Sequence, residues 1–168
     1  CYITHTKSWG QKLPDFRYDA DHIGRAFSVQ RLGGVSLINI CGEGETLLPP
    51  EMAGIIHSIL KNGHYVMVVT NGTVAKRFDE IAALPADCLE RLFIKFSFHY
   101  LELKRKGWVD KFFDNVQKVR DAGCSISVEL TPHDELIPHI EDMISVCRKR
   151  SGAVCHVTVA RNERDPSL

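Results

Sequence analysis

A glycine-rich segment with two carboxylates follows the first predicted strand, and its composition suits it to bind a ligand. Residues 41–48 read CGEGETLL. Glycine permits tight turns and lets a ligand approach the main chain, while Glu43 and Glu45 offer carboxylates that would hold an ammonium group. The segment has neither the GxxxxGK nor the GxGxxG pattern of a phosphate-binding loop. Because Gly-Glu pairs also occur in ordinary turns, the segment alone leaves a ligand site and a structural turn as equal alternatives.

Further chemistry-bearing side chains follow the later predicted strands. The sequence Thr-Asn-Gly occupies residues 70–72, Ser97 and His99 end the third strand, Glu129 is in the fourth, and His156 is in the fifth. We predict that His99 and His156 share one face of the sheet, where either would bind substrate or relay a proton. A zinc hydrolase would combine His99, Glu129 and His156 as ligands, but no HxH or HExxH motif supports this alternative.

Short β-rich runs alternate with helical periods, and the strand starts recur about every 30 residues, as in repeated βα units. The five predicted strands are 35–40, 65–69, 92–98, 125–130 and 154–159. A helix is predicted before the first strand, around Ile23. The helix before the last strand is expected to begin with a capping box at 131–134 and to kink at Pro138. The charged stretch 102–106 is predicted to be a solvated loop or the entry to a helix. We predict one domain with parallel strands.

One face of this sheet is predicted to be polar. In residues 93–100 apolar side chains alternate with Lys95, Ser97 and His99, and the strand at 125–130 alternates in the same way. A parallel sheet covered by helices on both faces would be apolar throughout, and unpartnered polar groups are costly to bury. A partial or complete βα barrel with helices outside and a polar interior fits this pattern, with its chemistry at the carboxyl ends of the strands. An antiparallel sheet is the alternative, which the intervening helices disfavour.

Composition narrows the classes of function. The 21 basic and 21 acidic residues cancel, which argues against a nucleic-acid or membrane-surface partner held by bulk charge. No apolar run approaches the roughly 20 residues of a membrane span, and residues 1–10 lack a signal-peptide pattern, so we expect a cytoplasmic protein. The cysteines form no CxxC motif. Buried, reduced thiols are expected at Cys88, Cys124, Cys147 and Cys155.

The order of these motifs resembles the radical S-adenosylmethionine (radical SAM) superfamily. In that family the second strand ends in a Gly-Gly-Glu-Pro-like motif, the third often ends in Thr-Asn-Gly, and the fourth carries a serine that contacts the cofactor. The matching residues are Gly44-Glu45, with Thr46 in place of the commoner proline, then 70–72, and then Ser97. Cys1-Tyr2-Ile3 is similar to the end of the family's CxxxCxxC loop. The resemblance covers nearly the whole chain and implies an α/β fold, a partial (β/α)6 TIM-like barrel of parallel strands with the first strand missing.

The resemblance also implies a cofactor pair and a reaction. A 4Fe-4S cluster held by three thiolates would reduce S-adenosylmethionine and release a 5′-deoxyadenosyl radical that abstracts hydrogen from an unknown substrate. The electron would come from a donor such as flavodoxin or ferredoxin. Two of the three cluster cysteines are absent from this chain, so residues 1–168 are interpreted as an incomplete radical SAM core, inactive by itself. A non-catalytic barrel-like binding module is the alternative. Cysteines upstream of Cys1 would decide between the two.

Individual roles follow from the same resemblance. Cys1 would be the third cluster thiolate, Glu43 and Glu45 with their flanking glycines would hold the methionyl ammonium, Ser97 would bond ribose or carboxylate, and Asn71 would shape the neighbouring loop. Glu129 and Arg161 occupy positions where the family places ribose- or carboxylate-binding groups. The candidate cofactor-binding residues are Gly42, Glu43, Gly44, Glu45, Thr46, Asn71, Ser97, His99, Glu129 and Arg161.

Overall fold

Five parallel strands form one sheet in a computed structural model of the chain, which describes residue 13 and residues 15–42 and 44–159. The strands are β1 (Leu37–Ile40), β2 (Tyr65–Thr70), β3 (Leu92–Ser97), β4 (Ser125–Leu130) and β5 (His156–Val157). They lie in the order of the sequence, and every neighbouring pair is parallel. Within the described ranges the sheet stays open, with β1 and β5 as its edges. The predicted α/β fold, a partial TIM-like barrel of parallel strands, is confirmed.

Each connection between successive strands contains a helix, because parallel neighbours need a crossover. In the part of the chain that the structure describes, two helices precede β1 and six follow it, and a 3₁₀ helix, Asp134–His139, leads into the last of these. In the described residues no helix combines the length and the apolar character needed to cross a bilayer. The helices are α1 (Ala20–Ala26), α2 (Val29–Leu32), α3 (Met52–Lys61), α4 (Ala75–Ala82), α5 (Ala86–Leu89), α6 (Tyr100–Lys106), α7 (Val109–Asp121) and α8 (Ile140–Ser151).

The strands bury one face and leave the other partly exposed. In β3, Ile94 and Phe96 are completely buried in the apolar core that the helices share, whereas Lys95 and Ser97 keep partial exposure. We call the second face the inner face, defined by Lys95, Ser97, Ser127, Glu129 and His156, which the strand registers place side by side. The two-faced sheet predicted from alternation is therefore confirmed.

Some predicted boundaries differ from the structure. The strand predicted at 154–159 pairs only over His156–Val157, and β1 begins at Leu37 instead of residue 35. The charged stretch 102–106 belongs to helix α6. Pro138 lies inside the 3₁₀ helix, and the α-helical part begins only at Ile140. The α-helix does not extend back through Pro138, because proline has no N–H to donate within a continuous α-helix.

The segment before β1 packs against α3 and against His64, the residue before β2. Gly24 of α1 lies against α3 so closely that a Cβ atom there would come 2.9 Å from Cβ of Ser58. Completely buried His64 accepts a hydrogen bond from the Ser36 N–H at Nδ1 (3.1 Å) and bonds the Phe27 carbonyl through Nε2 (2.5 Å). A carbonyl only accepts, so Nε2 carries the proton in this tautomer. The histidine therefore joins the end of α1 to the start of β1.

Candidate functional site

The carboxyl ends of the five strands meet at one edge of the sheet, because all five are parallel. The loops after β1 and β2 and the last residues of β3 and β4 carry most of the predicted site residues at this edge. Three predicted positions, Cys1, Glu43 and Arg161, lie outside the described residues. Their predicted roles remain predictions.

The loop after β1 exposes its main chain. A Cβ atom built on Gly42 or Gly44 would meet no atom within 4 Å, and Gly44 has a φ of 81°, which favours glycine. The Gly42 N–H donates to Oγ1 of Thr46 at 3.2 Å, which closes the loop on itself. The buried Thr46 thus has a structural contact within the loop. Cys41, at the start of the loop, is exposed.

Glu45 ties this loop to the turn after β2. Its Oε1 accepts hydrogen bonds from the Leu47 N–H (2.9 Å) and the Thr70 hydroxyl (2.6 Å), and its Oε2 accepts one from the Asn71 N–H (2.7 Å). A carboxylate offers about four lone-pair positions. The described residues occupy three of them, which leaves one position on Oε2 for a ligand donor.

The Thr-Asn-Gly turn is stabilised by the side chain of its own Asn71 and by that of Asn115 on helix α7. Oδ1 of Asn71 accepts from both the N–H (3.0 Å) and the hydroxyl (2.6 Å) of Thr73. Gly72 adopts a φ of 76°, and its carbonyl accepts from Nδ2 of buried Asn115 at 2.8 Å. The side chain of Asn71 therefore stabilises the turn itself.

A row of polar side chains crosses the inner face just below the strand ends. Strand register places Ser97 beside Glu129, and Glu129 beside His156. Glu129 forms an ion pair with Lys95 (3.1 Å) and accepts a hydrogen bond from the Ser127 hydroxyl (2.8 Å). Among the described residues, no hydrogen bond engages the Ser97 hydroxyl, so it is available to a ligand.

The environment of Glu129 acts on its pKa in two directions. Desolvation raises the pKa, but the hydrogen bonds from Ser127 and Lys95, the positive charge of Lys95 and the nearby His156 lower it, and the net result lies below the ordinary value. Glu129 is consequently an anion held in place by its neighbours. A ribose hydroxyl or an ammonium group can still bond its remaining lone pairs.

Replacing Glu129 with glutamine is expected to lower the free energy of unfolding by about 1 kcal/mol near pH 7, because an amide cannot form the ion pair with Lys95. The folded-state pKa is depressed, so the stabilisation is complete above the ordinary glutamate pKa of about 4.3 and disappears as the pH falls through the folded-state value. Urea unfolding of wild type and Glu129→Gln at neutral and acidic pH measures the difference in their free energies of unfolding. Exposed Glu90→Gln is the control. A difference from wild type that stays constant with pH would rule out the ion pair as its source.

His99 lies beyond the end of β3 and lines a separate cleft. The cleft has a volume of about 340 Å³ and is shared with Tyr100, Thr131, His133 and Glu135. Partial removal from water lowers the pKa of His99, against the opposing effect of the Glu102 and Glu45 carboxylates. The cleft opens at the same edge of the sheet as the candidate cofactor residues. His99 is thus placed to meet a bound molecule at the mouth of the barrel.

The zinc-hydrolase alternative finds no support in the described ranges. They contain no group of three or more His, Cys, Asp or Glu side chains able to hold a metal ion. Glu129 contacts Lys95 and Ser127, and His99 lines the cleft with His133. The predicted set of His99, Glu129 and His156 does not form a metal site.

Two polar residues that organise this edge were not singled out by the sequence analysis. Lys95 forms the ion pair with Glu129. It lies two residues before Ser97 in β3, so the period of two already placed both side chains on the same face. Asn115 supports the Gly72 turn from within the apolar face of α7, between Phe112 and Val119. A buried amide on an otherwise apolar helical face is the signal that would have found it.

The fold resembles that of SuiB from Streptococcus suis. The structure of SuiB bound to S-adenosylmethionine matches 91% of this chain and 36% of SuiB, with a TM-score of 0.60 and 11% sequence identity. SuiB bound to the precursor peptide SuiA matches 89% of this chain and 34% of SuiB, with a TM-score of 0.58 and the same identity. The two proteins share a fold. The chain spans about a third of SuiB. It matches no protein family model, and its sequence matches no curated protein.

Proposed function

We propose that this chain is part of the core of a radical SAM enzyme and that its strand-end edge binds S-adenosylmethionine. One observation carries the proposal: the motifs that resemble the family's lie at the ends of β1, β2 and β3, and Glu45 bonds the first directly to the second. The fold of SuiB, a protein whose structure contains S-adenosylmethionine, supports the same assignment. The coincidence of motif order, position and fold favours this function over a binding module of unrelated chemistry.

The groups at this edge suit the parts of S-adenosylmethionine. Its methionyl ammonium is a donor, for which the remaining lone pair of Glu45 and the carbonyls of exposed Gly42 and Gly44 are acceptors. Its ribose hydroxyls and carboxylate suit the Ser97 hydroxyl and the fixed carboxylate of Glu129, through donated and accepted hydrogen bonds. In this proposal His99 closes the site at the cleft. These residues bind and orient the cofactor above the inner face.

The described residues do not supply a ligand set for an iron–sulfur cluster. In the proposal Cys1 is one cluster ligand, and the chain has no further cysteines in the CxxxCxxC spacing. Bound S-adenosylmethionine would supply, on one-electron reduction, a 5′-deoxyadenosyl radical that removes hydrogen from a substrate. A flavodoxin or ferredoxin is the proposed electron donor. The residues of this chain position the cofactor and keep the substrate on the inner-face side.

Replacing Ser97 with alanine in the full-length protein, reconstituted anaerobically with iron and sulfide, is expected to raise the KM for S-adenosylmethionine roughly tenfold. That factor corresponds to the loss of one hydrogen bond of about 1.4 kcal/mol. The assay is formation of 5′-deoxyadenosine under a strong reductant at varied S-adenosylmethionine concentration.

Ser125→Ala is the matched control, because exposed Ser125 begins β4 at the opposite end of the sheet. It is expected to leave the KM unchanged. Equal KM values for wild type and Ser97→Ala would remove Ser97 from the proposed cofactor site.

A further inference from the structure

The cleft lined by His99 has an apolar floor and a polar rim. Its volume of about 340 Å³ lies at the small end of the range for ligand pockets, roughly 300–1,000 Å³, and suits a group the size of one side chain. The floor consists of side chains that are each at most 5% exposed: Phe98, Tyr100, Leu130 and Leu136. The hydroxyl of Tyr100 donates to Asp142, which is not part of the lining. The floor is therefore a surface for hydrocarbon.

Two charged side chains on the rim neutralise each other. Both carboxylate oxygens of Glu102 accept hydrogen bonds from the guanidinium of Arg105, at 2.9 and 2.7 Å. Lys106 adds an ion pair with Glu102 at 2.9 Å. The hydrogen bonds from Arg105 and Lys106 lower the pKa of Glu102 to about 2. Because Glu102 matches the charge of Arg105, the described lining offers an anionic ligand no unmatched arginine or lysine.

Glu135 is the remaining carboxylate on the rim. It lies exposed in the first turn of the 3₁₀ helix, and its carboxylate has no ion-pair or hydrogen-bond partner among the described residues. His133, just before that helix, makes no capping bond through its side chain. Removal from water lowers the pKa of His99, and a neutral imidazole has one nitrogen that accepts. Together with the Thr131 hydroxyl, the rim therefore presents an unmatched carboxylate beside neutral acceptors.

We propose that this cleft binds a primary ammonium or guanidinium group at the end of an apolar stem. The stem lies on the floor, and the cation at the rim donates hydrogen bonds to Glu135, His99 and Thr131. Lysine and arginine side chains divide in the same way on an apolar surface, where about three or four methylene groups are buried and the charged end stays near water. The open rim leaves the cation partly hydrated, which avoids the cost of full burial. A carboxylate in the same place would meet Glu135 as a like charge.

The cleft adjoins the residues proposed to bind the cofactor. His99 follows Ser97 by two residues, Thr131 follows Glu129 by two, and the register of β3 and β4 places Ser97 beside Glu129. A molecule bound in the cleft therefore lies next to the candidate cofactor site, where a substrate must lie to lose a hydrogen atom. Its identification as the substrate rests on the proposed function, whereas binding of the cation requires only the residues of the cleft.

Ligand-observed NMR titrations of the full-length protein, without added iron, sulfide or S-adenosylmethionine, test the cleft with small probes. Pentylammonium is expected to bind roughly tenfold more tightly than neutral pentanol, because its ammonium makes a charge-assisted hydrogen bond to Glu135. It is also expected to bind roughly tenfold more tightly than methylammonium, which has the charge but no stem for the floor. Pentanoate should show no measurable binding. Glu135→Gln is expected to abolish the preference for pentylammonium over pentanol.

Glu141→Gln is the matched control, because Glu141 is exposed on α8 and does not line the cleft. It is expected to keep the wild-type preference. Equal binding of pentylammonium and either pentanol or methylammonium, tighter binding of pentanoate, or an equal loss in both variants would overturn the proposal. A protein with the expected preferences that forms no 5′-deoxyadenosine keeps the cation site and loses its assignment to a substrate. A protein that forms 5′-deoxyadenosine without these preferences refutes the cation site alone.

Discussion

Replacing Gly72 with alanine is expected to lower the free energy of unfolding by about 3 kcal/mol, from backbone strain and overpacking together. Gly72 has a φ of 76°, where a side chain is strained. A Cβ atom there would also lie 2.6 Å from Cδ2 of Phe112 and 3.0 Å from Cδ1 of Phe96. Both rings are completely buried and packed against one another, edge to face. Urea unfolding followed by circular dichroism measures the loss.

Gly63→Ala separates the two causes. Gly63 has a φ of 85°, but a Cβ atom there would meet nothing within 4 Å. Its replacement is therefore expected to cost only the backbone term, about 1 kcal/mol. If Gly63→Ala and Gly72→Ala lose equal stability, the close approach of the turn to the aromatic core is not the reason for glycine at position 72.

Removing the carboxylate of Glu45 is the second substitution that we expect to lower the free energy of unfolding strongly. Glu45→Ala is expected to lower the free energy of unfolding by about 3 kcal/mol, because three donors lose a charged acceptor and one of them, the Thr70 hydroxyl, is buried. Glu45→Gln is expected to lose less, because its amide oxygen can still serve the two donors that now share Oε1. Urea unfolding again provides the measurement.

Glu51→Ala is the control for this pair of variants. Glu51 precedes α3, is exposed and makes no side-chain capping bond, so its removal should change stability by no more than about 0.5 kcal/mol. Wild-type stability in Glu45→Ala would mean that the loop after β1 and the turn after β2 are not joined through this carboxylate.

The architecture was predictable because its signals are local and repeated. Period-two alternation in β3 and β4 identified the buried and the inner faces, since strand geometry alone assigns successive side chains to opposite sides. The connecting helices made parallel pairing the natural arrangement. The end of the chain was predicted less well. β5 is an edge strand, and its pairing over His156–Val157 depends on contacts with β4 that no local pattern reveals.

The positions of the candidate site residues along the strands were predictable from the sequence, but the contacts that join them were not. Motif order placed Glu45, Asn71 and Ser97 at the carboxyl ends of successive strands. The sequence could not show that Glu45 bonds the main chain of Asn71, because that contact joins residues from separate βα units. The Lys95–Glu129 ion pair is likewise tertiary.

Formation of 5′-deoxyadenosine by the full-length protein tests the proposed function most directly. The protein is reconstituted anaerobically with iron and sulfide, reduced, and supplied with S-adenosylmethionine. Wild type is expected to show the optical band of an iron–sulfur cluster and to release 5′-deoxyadenosine, and Cys1→Ala is expected to lose both. A wild-type protein that binds no cluster and leaves S-adenosylmethionine intact, or a Cys1→Ala variant that keeps a normal cluster and full cleavage, would contradict the account.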